Sequence, residues 1–332
     1  MTKSAPTPIL STDEAIRKLR GTVHAKAKNF YAMYSSILGG IVTDPALMVV
    51  PLDDHMVHRG HGVFDTATLA NGMLYQLDQH IERLVRSAEM ARIPLPFPPQ
   101  KLRQIVIETA AAGGRRDGSV RYWLSAGPGG FGLGSAECVG SAFYVVIFSP
   151  EAYPASYYTE GIRVVTSTVP IKPPFFARVK STNYLPNVMV VLEAKDRGAD
   201  NGIFVDERGM IAESSNMNVA FVTKDRVLRH PPFDAILSGI TIQRMLQLAR
   251  RLVERGELRE IRVAEISVAE GREAQEILLV GSSIKVAPVV EWDAKPIGDG
   301  RPGPIAKRLL EMWYEDVQKA TDQLVAVPYP GA

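Results

Sequence analysis

The sequence predicts an α/β (α+β) fold in two domains. Apolar residues alternate with period two in some stretches and recur every three to four residues in others, 46% of the 332 residues are hydrophobic, and a proline-bearing stretch without periodicity interrupts the chain near its middle. The expected division is a small N-terminal domain over residues 1–150, a linker over 151–160 and a larger C-terminal domain over 161–332.

The elements follow in order. Ser11 and Glu14 form a capping box before AIRKLRG, and Gly21 marks the stop of a first short helix. Residues 31–50 and 62–77 are rich in small, apolar and β-branched side chains and are broken at Gly39-Gly40, Asp44-Pro45 and Asn71-Gly72. That pattern predicts strands and turns, with Asn71-Gly72 as a hairpin tip. Asp78 is expected to cap QHIERLVRSAEMARI, where Ile81, Leu84, Val85 and Ala88 share one face; Leu102, Ile105, Val106 and Thr109 do the same after Pro98-Pro99. SVRYWLSAG and SAFYVVIFS read as strands around the glycine-rich loop 127–134.

SPEAYPASYY, residues 149–158, carries two prolines and no period, and supplies the linker. IRVVTSTVP resumes as a strand, GIFVDERGMIAE turns at Glu207 to Gly209 between two apolar runs, and MNVAFVT continues as a strand. SGITIQRMLQLARRLVERG predicts a helix opening at Ser238 or Gly239 and closing at Gly256, with Met245, Leu248, Ala249 and Leu252 facing inward. The strand EILLVGSS and the helix IAKRLLEMWYEDV complete the second domain.

Composition excludes several classes of function. Lys plus Arg number 38 against 36 Asp plus Glu, and a net charge of +2 gives no footprint for nucleic acid or an anionic membrane. The expected partners are small molecules and a second copy of the chain. Cys138 is the single cysteine, which excludes an intrachain disulfide framework and a thiolate metal cluster. No segment resembles a membrane helix, and MTKSAPTPIL lacks the apolar core of a secretory signal. A cytoplasmic protein is expected, with a plastid form trimmed of its transit peptide as the alternative.

Candidate chemistry begins at Lys180 in RVKSTNYLPN, which ends a proline-flanked tract and sits beside apolar residues. Desolvation there would lower the amine pKa and make it nucleophilic toward an aldehyde. Glu213 in IAESSNMN is a carboxylate at a strand end among small polar residues, suited to holding a ring nitrogen protonated. LSGIT opens a helix whose free N–H groups would bind a phosphate, and the hydroxyls of VGSS offer a second donor set. His55, His58 and His61 recur every three residues, but Gly60 and Gly62 argue against a helix and no ligand set is completed, so no metal is expected. Loop 127–134 lacks the lysine of a P-loop and reads as a mobile pocket edge.

In order and spacing, KSTN, AESSNMN, LSGIT and GSS resemble the fold-type IV pyridoxal-phosphate enzymes, which include branched-chain and D-amino-acid aminotransferases, (R)-amine transaminases and aminodeoxychorismate lyase. HRGHGVFDT followed by LDQHIERLVRSAEM extends the resemblance, and AMYSSILGGIVTDP, RYWLSAGPG and IKPPFFARVKSTNYLPNVM are similar to the plant-type D-amino-acid aminotransferases. The resemblance implies pyridoxal 5'-phosphate in the cleft between two domains of a homodimer, an amino donor and a 2-oxo acid acceptor as substrates, and transamination of a D-amino acid such as D-alanine. It implies Lys180 as the residue that anchors the cofactor and moves the proton, Glu213 on the pyridine nitrogen, and Arg83 as a bidentate phosphate ligand. Ile240, Thr241 and Ser282 would complete the phosphate site, with Leu237 against the ring and Ser283 on the substrate side. Tyr184 would reach the cofactor's phenolic oxygen or serve in packing.

The substrate side departs from the better-described relatives. Bacterial D-amino-acid enzymes carry a carboxylate-binding arginine where this chain has Ala126. Arg59 is the expected substitute, with His61, Phe64 and Arg121 as further substrate-side candidates. Release of pyruvate and 4-aminobenzoate from aminodeoxychorismate, or (R)-selective amine transamination, are the rival reactions within the family. A non-catalytic pyridoxal-phosphate carrier is the rival outside it.

Overall fold

The computed structural model describes residues 6–331; residues 1–5, the start of the segment read above for a signal, and residue 332 lie outside the described residues. The first helix α1 (Thr12–Gly21) starts on the predicted Ser11–Glu14 capping box. In the first half follow strands β1 (Phe30–Ser35) and β2 (Gly40–Val42), a single turn α2 (His55–Arg59), and strands β3 (Gly62–Ala70) and β4 (Met73–Tyr75). Helices α3 (Leu77–Met90) and α4 (Pro99–Ala112) and strands β5 (Gly118–Ser125) and β6 (Ala142–Phe148) complete it.

Asn71 at φ 52° and Gly72 at φ 79° turn β3 into β4, the left-handed pair that an Asn-Gly hairpin demands. Asp78 does not cap α3. The chain leaves β4 through Gln76 at φ 53° and enters the helix directly, which places Asp78 inside the first turn, where it pairs with Arg103. Ile81, Leu84 and Ala88 of α3 and Leu102, Ile105 and Val106 of α4 pack together against Val63, Ala67, Val120 and Leu124 of the sheet. Most of this domain's hydrophobic stabilisation comes from that layer.

The linker is not featureless. It holds the short turn α5 (Ser156–Thr159), four residues being too few to register as a period, and Tyr153, Tyr157 and Tyr158 lie against the second core. Strand β7 (Ile162–Thr166) follows, then the turn α6 (Pro174–Ala177) and the helix α7 (Leu185–Asp196). Strands β8 (Asn201–Val205), β9 (Ile211–Ser214), β10 (Asn218–Val222) and β11 (Val227–His230) precede α8 (Ile240–Glu254), which ends with Gly256 at φ 71° as predicted. After them come β12 (Glu260–Val263), α9 (Val268–Arg272), β13 (Glu276–Gly281), β14 (Lys285–Trp292), β15 (Lys295–Pro296), α10 (Pro304–Lys319) and β16 (Leu324–Ala326).

Two sheets result, a seven-stranded one in the order β16-β4-β3-β5-β6-β1-β2 and a nine-stranded one in the order β12-β11-β10-β13-β14-β7-β8-β9 with β15 paired to β14. Strand β14 is absent from the expected elements because Pro288 interrupts its apolar run. The C-terminal stretch does not belong wholly to the second domain, as expected of it, since β16 returns to pair with β4 in the first sheet. Asp316 on α10 accepts hydrogen bonds from the Tyr75 hydroxyl and from Arg244 on α8, and so ties the two halves together beneath the cleft.

Candidate active site

Between the sheets lies a cavity of about 660 Å³, lined from both halves of the chain. This is a size suited to a small organic ligand. Lys180 enters it from the segment between α6 and α7, which is stitched to the first domain. The Lys180 N–H donates to Ser87 Oγ at 3.2 Å, and the Phe64 N–H donates to the Lys180 carbonyl at 2.9 Å. Thr182 Oγ1 and Asn183 Nδ2 donate to the Gly60 carbonyl at 2.9 and 3.2 Å. A Cβ on Gly60 would lie 2.1 Å from Asn183 Oδ1, so the glycine is required for this contact. The polar run after the lysine thus fixes where its side chain emerges.

Burial lowers the Lys180 ammonium to about 7, with Arg83 adding to the effect and Asp65 and Glu213 opposing it. Near neutral pH a substantial fraction is free amine. Its Nζ lies 3.4 Å from the Tyr184 hydroxyl and 4.8 Å from the centre of the Phe64 ring. Tyr184 packs edge to face on Phe64 at 5.2 Å, so its hydroxyl and its ring both bear on the lysine.

Glu213, buried at the end of β9, is pushed up to about 7 by desolvation; Lys172, the Leu237 N–H and Lys180 act against the rise. The Leu237 amide donates to Glu213 Oε2 at 3.3 Å, so this leucine holds the carboxylate with its backbone besides lining the cavity. At another part of the wall α8 begins after Gly239 without a side-chain cap, leaving the first N–H groups of the helix free. Ile240 and Thr241 line the cavity there, and Thr241 Oγ1 lies 3.1 Å from Ser282 Oγ, with Ser283 beside them. A Cβ on Gly239 would fall 1.9 Å from Asn218 Oδ1. Only glycine fits that approach.

Arg83 reaches the same wall but does not offer the bidentate fork expected of it. Its Nε and Nη2 are engaged by Asp65 at 2.8 and 2.7 Å, and Nη1 donates to the Ser238 carbonyl at 3.2 Å. The fork is spent on a buried partner because a desolvated guanidinium needs one, and the Nη1 edge is what remains for a ligand. Burial alone would raise the Asp65 carboxyl, but Arg83 and His80 outweigh it and hold it far below the ordinary carboxylate range. Replacing Asp65 with Asn should cost about 3–5 kcal/mol, because it leaves the Arg83 charge buried and unpaired. Denaturant unfolding at pH 7 measures this. Since the folded pKa is depressed, the Asp65 contribution is complete above about pH 4 and is lost as the pH falls further, and the acid-side loss of stability should be weaker in the variant.

Among the substrate-side candidates, Phe64, Arg121 and Ser283 line the cavity, Arg121 donating from Nε to Thr66 Oγ1 at 2.9 Å. Arg59 and His61 do not. Arg59 Nη2 donates to the Phe131 carbonyl at 2.6 Å, and His61 contacts the Ala91 carbonyl through Nε2 at 2.8 Å and His55 between Nδ1 atoms at 3.0 Å. Residues 55–59 form one helical turn, contrary to the expectation from Gly60 and Gly62. Asp54 caps it, and Gly60 at φ 66° ends it rather than preventing it. Loop 127–134, expected at the pocket edge, packs instead on this turn, with the His55 N–H donating to the Gly127 carbonyl at 3.0 Å.

Several residues of the site are not evident from the sequence motifs. Asp65 lies in HRGHGVFDT and His80 near the start of α3; a buried arginine on α3 is the signal that an acid has to face it. Lys172, between prolines in IKPPFF, lines the cavity together with Tyr153 and Tyr157 from the linker. Ala126 is buried away from the cavity, its N–H bonded to the His61 carbonyl.

Comparison with known proteins agrees with this geometry. The sequence model of the family described as Amino-transferase class IV matches residues 62–292. The chain is 49% identical over 324 residues to the D-amino-acid transaminase, chloroplastic, of Arabidopsis thaliana, covering 97% of this chain and 86% of that protein. It is 28% identical to the D-alanine aminotransferase of Bacillus licheniformis, over 87% of this chain and 99% of that one. Among solved structures, a branched-chain amino acid aminotransferase with pyridoxamine 5'-phosphate superposes with a TM-score of 0.83 at 25% identity, covering 90% of this chain and 99% of the other.

Proposed function

The chain belongs to the class IV aminotransferases, and from that premise we propose that it transfers the amino group of a D-amino acid such as D-alanine to a 2-oxo acid by a ping-pong route. The cofactor of the reaction is pyridoxal 5'-phosphate. The residues present fit it: a near-neutral amine, a buried carboxylate, and a rim of N–H, hydroxyl and guanidinium donors with a helix N-terminus all open on one cavity. When bound, pyridoxal phosphate supplies an aldehyde that accepts the amino group and a ring that takes up electrons from the substrate α-carbon.

The rest is the work of the chain. Lys180 Nζ would hold the aldehyde carbon until the substrate amine displaces it there, and the freed amine, lowered by burial to about 7, would then take and return the proton at the substrate α-carbon. Glu213 would keep a proton on the ring nitrogen. Arg83 Nη1, the Ile240 N–H and the hydroxyls of Thr241 and Ser282 would bind the phosphate, Leu237 would pack against the ring, and the Tyr184 hydroxyl would orient Lys180. Arg121 and Ser283 line the part of the cavity left for substrate, with Phe64 as its apolar wall.

A homodimer belongs to the same reading. Phe175, Phe176, Leu185, Val188, Met189 and Leu192 form an exposed apolar surface beside the cavity, Leu185 being 71% exposed, and Val188 and Leu192 line the cavity itself. A second copy would cover that surface. Arg59 and His61, turned away from the cavity of their own chain, would then serve the partner's. Among the described residues no helix is long and apolar enough to cross a membrane. The cytoplasm is the expected compartment, and a plastid, as in the name of the Arabidopsis relative, is the alternative.

The opening of both Lys180 and Glu213 on one cavity carries the reading. The absorption spectrum of cofactor-loaded protein, recorded as D-alanine is added without an oxo acid, tests it. The yellow band should bleach to the pyridoxamine form with D-alanine and not with L-alanine. Bleaching by an (R)-amine alone would move the assignment to amine transamination, and an unchanged band with pyruvate release from aminodeoxychorismate would move it to the lyase.

A further inference from the structure

We propose that Lys172 is a positioning residue that acts through Glu213, its ammonium keeping that carboxylate ionised for the ring nitrogen. The proposal rests on the reading of Glu213 given above and concerns a lysine to which neither the motifs nor the phosphate rim assigns a task.

The local sequence makes Lys172 a rigid fixture. It stands in Pro170-Ile171-Lys172-Pro173-Pro174, where the prolines fix their own φ and confine the residue before each to extended backbone. Its neighbour Ile171 packs with Ala212, the residue before Glu213, in one apolar cluster with Val190, Phe204 and Ile236. One apolar cluster therefore anchors the segment that carries the lysine and the strand that carries the glutamate. Both side chains open into the cavity, and Lys172 Nζ lies 5.0 Å from the centre of the Tyr184 ring.

The charges around Glu213 come from few elements. The loop after β7 brings Lys172, the segment before α7 brings Lys180, and the loop before α8 brings the Leu237 N–H. Tyr184, at the start of α7, adds a hydroxyl that burial and Glu213 hold in its neutral form. Lys180 is committed to the cofactor aldehyde and titrates near 7, so it is not a constant charge. Lys172 is lowered by burial and raised by Glu213, and among the described residues it closes no ion pair with any carboxylate. A cation that opens on the same cavity without closing an ion pair biases the charge of Glu213 and leaves free the oxygens that the ring nitrogen needs.

The test is a pH titration of the Glu213 carboxyl in protein labelled with carbon-13 at glutamate side chains, with Glu213→Gln identifying the signal. The midpoint, about 7 in the natural sequence, should rise by about one pH unit in Lys172→Gln and return in Lys172→Arg. The acid limb of turnover in the loaded enzyme should move with it. Lys172→Met, which keeps the apolar stem, replaces the glutamine variant if that one does not fold. An unmoved Glu213 midpoint in either charge-removing variant overturns the proposal. A midpoint that moves while Glu213→Gln retains full turnover overturns instead the role given to Glu213, so the two failures are distinct.

Discussion

Lys180→Ala is expected to remain folded and to lose sustained amino transfer by about ten-thousandfold, the upper end of what one general acid–base group contributes, because the same amine also anchors the cofactor. The fold survives because the contacts that place this residue are made by its backbone, from its N–H to Ser87 Oγ and from the Phe64 N–H to its carbonyl. Alanine keeps both. The lost side chain lines a cavity rather than a core, and its ammonium is disfavoured there by burial and by Arg83, so unfolding should not occur at lower temperature than in the natural sequence. Steady-state rates with D-alanine and a 2-oxo acid, beside circular dichroism melting, measure both halves of this expectation. Turnover within tenfold of the natural sequence would remove Lys180 from the mechanism.

Glu213→Gln should lower turnover by about a hundredfold, the scale of losing one preorganised electrostatic contact, while cofactor affinity changes far less. Glutamine keeps the shape and can still accept from the Leu237 N–H, but it carries no charge to hold a proton on the ring nitrogen. The pH dependence has a defined sign. Glu213 is protonated below about 7 and ionised above it, so activity should rise with pH through neutrality in the natural sequence. The Lys180 amine, in the part of the cycle where it is free of the cofactor, titrates in the same range, and the two will appear as one composite acid limb.

Stability runs the other way. The folded pKa of Glu213 lies above its unfolded value, so the folded protein binds its proton more tightly, and stability from this group falls as the pH rises from about 4.5 to about 7. The full difference is about 3 kcal/mol above that window. In the cofactor-free protein Glu213→Gln should therefore be more stable than the natural sequence at pH 8 and nearly equal to it at pH 4. The site accepts a destabilised carboxylate, and its function is the reason for tolerating it.

Much of this is legible in the chain because it is local. The Ser11 capping box, the Asn71-Gly72 hairpin, the α8 stop at Gly256 and the buried faces of α3 and α4 each depend on residues within a few positions of one another. What escapes depends on contacts made only after folding. The return of β16 to β4 joins residues far apart in sequence, and the Asp65 that occupies the Arg83 fork sits on a strand whose pairing with α3 no spacing announces. Arg59 and His61 fail as cavity residues of their own chain for a related reason. The turn that ends at Arg59, just before His61, is held by Asp54 at one end and by Thr182 and Asn183 at the other, and it faces loop 127–134. Lys180 and Glu213 are legible only jointly: each alone reads as an ordinary surface or turn residue, and the order and spacing of KSTN, AESSNMN, LSGIT and GSS single them out.

The most direct test of the account is to find which amine the cofactor takes. Two desolvated lysines, Lys172 and Lys180, line the same cavity. Borohydride reduction of the loaded protein followed by peptide mass spectrometry distinguishes them. The cofactor mass on the peptide containing Lys180, with none on Lys172, is the predicted result; cofactor mass on Lys172, or on neither lysine, would contradict it.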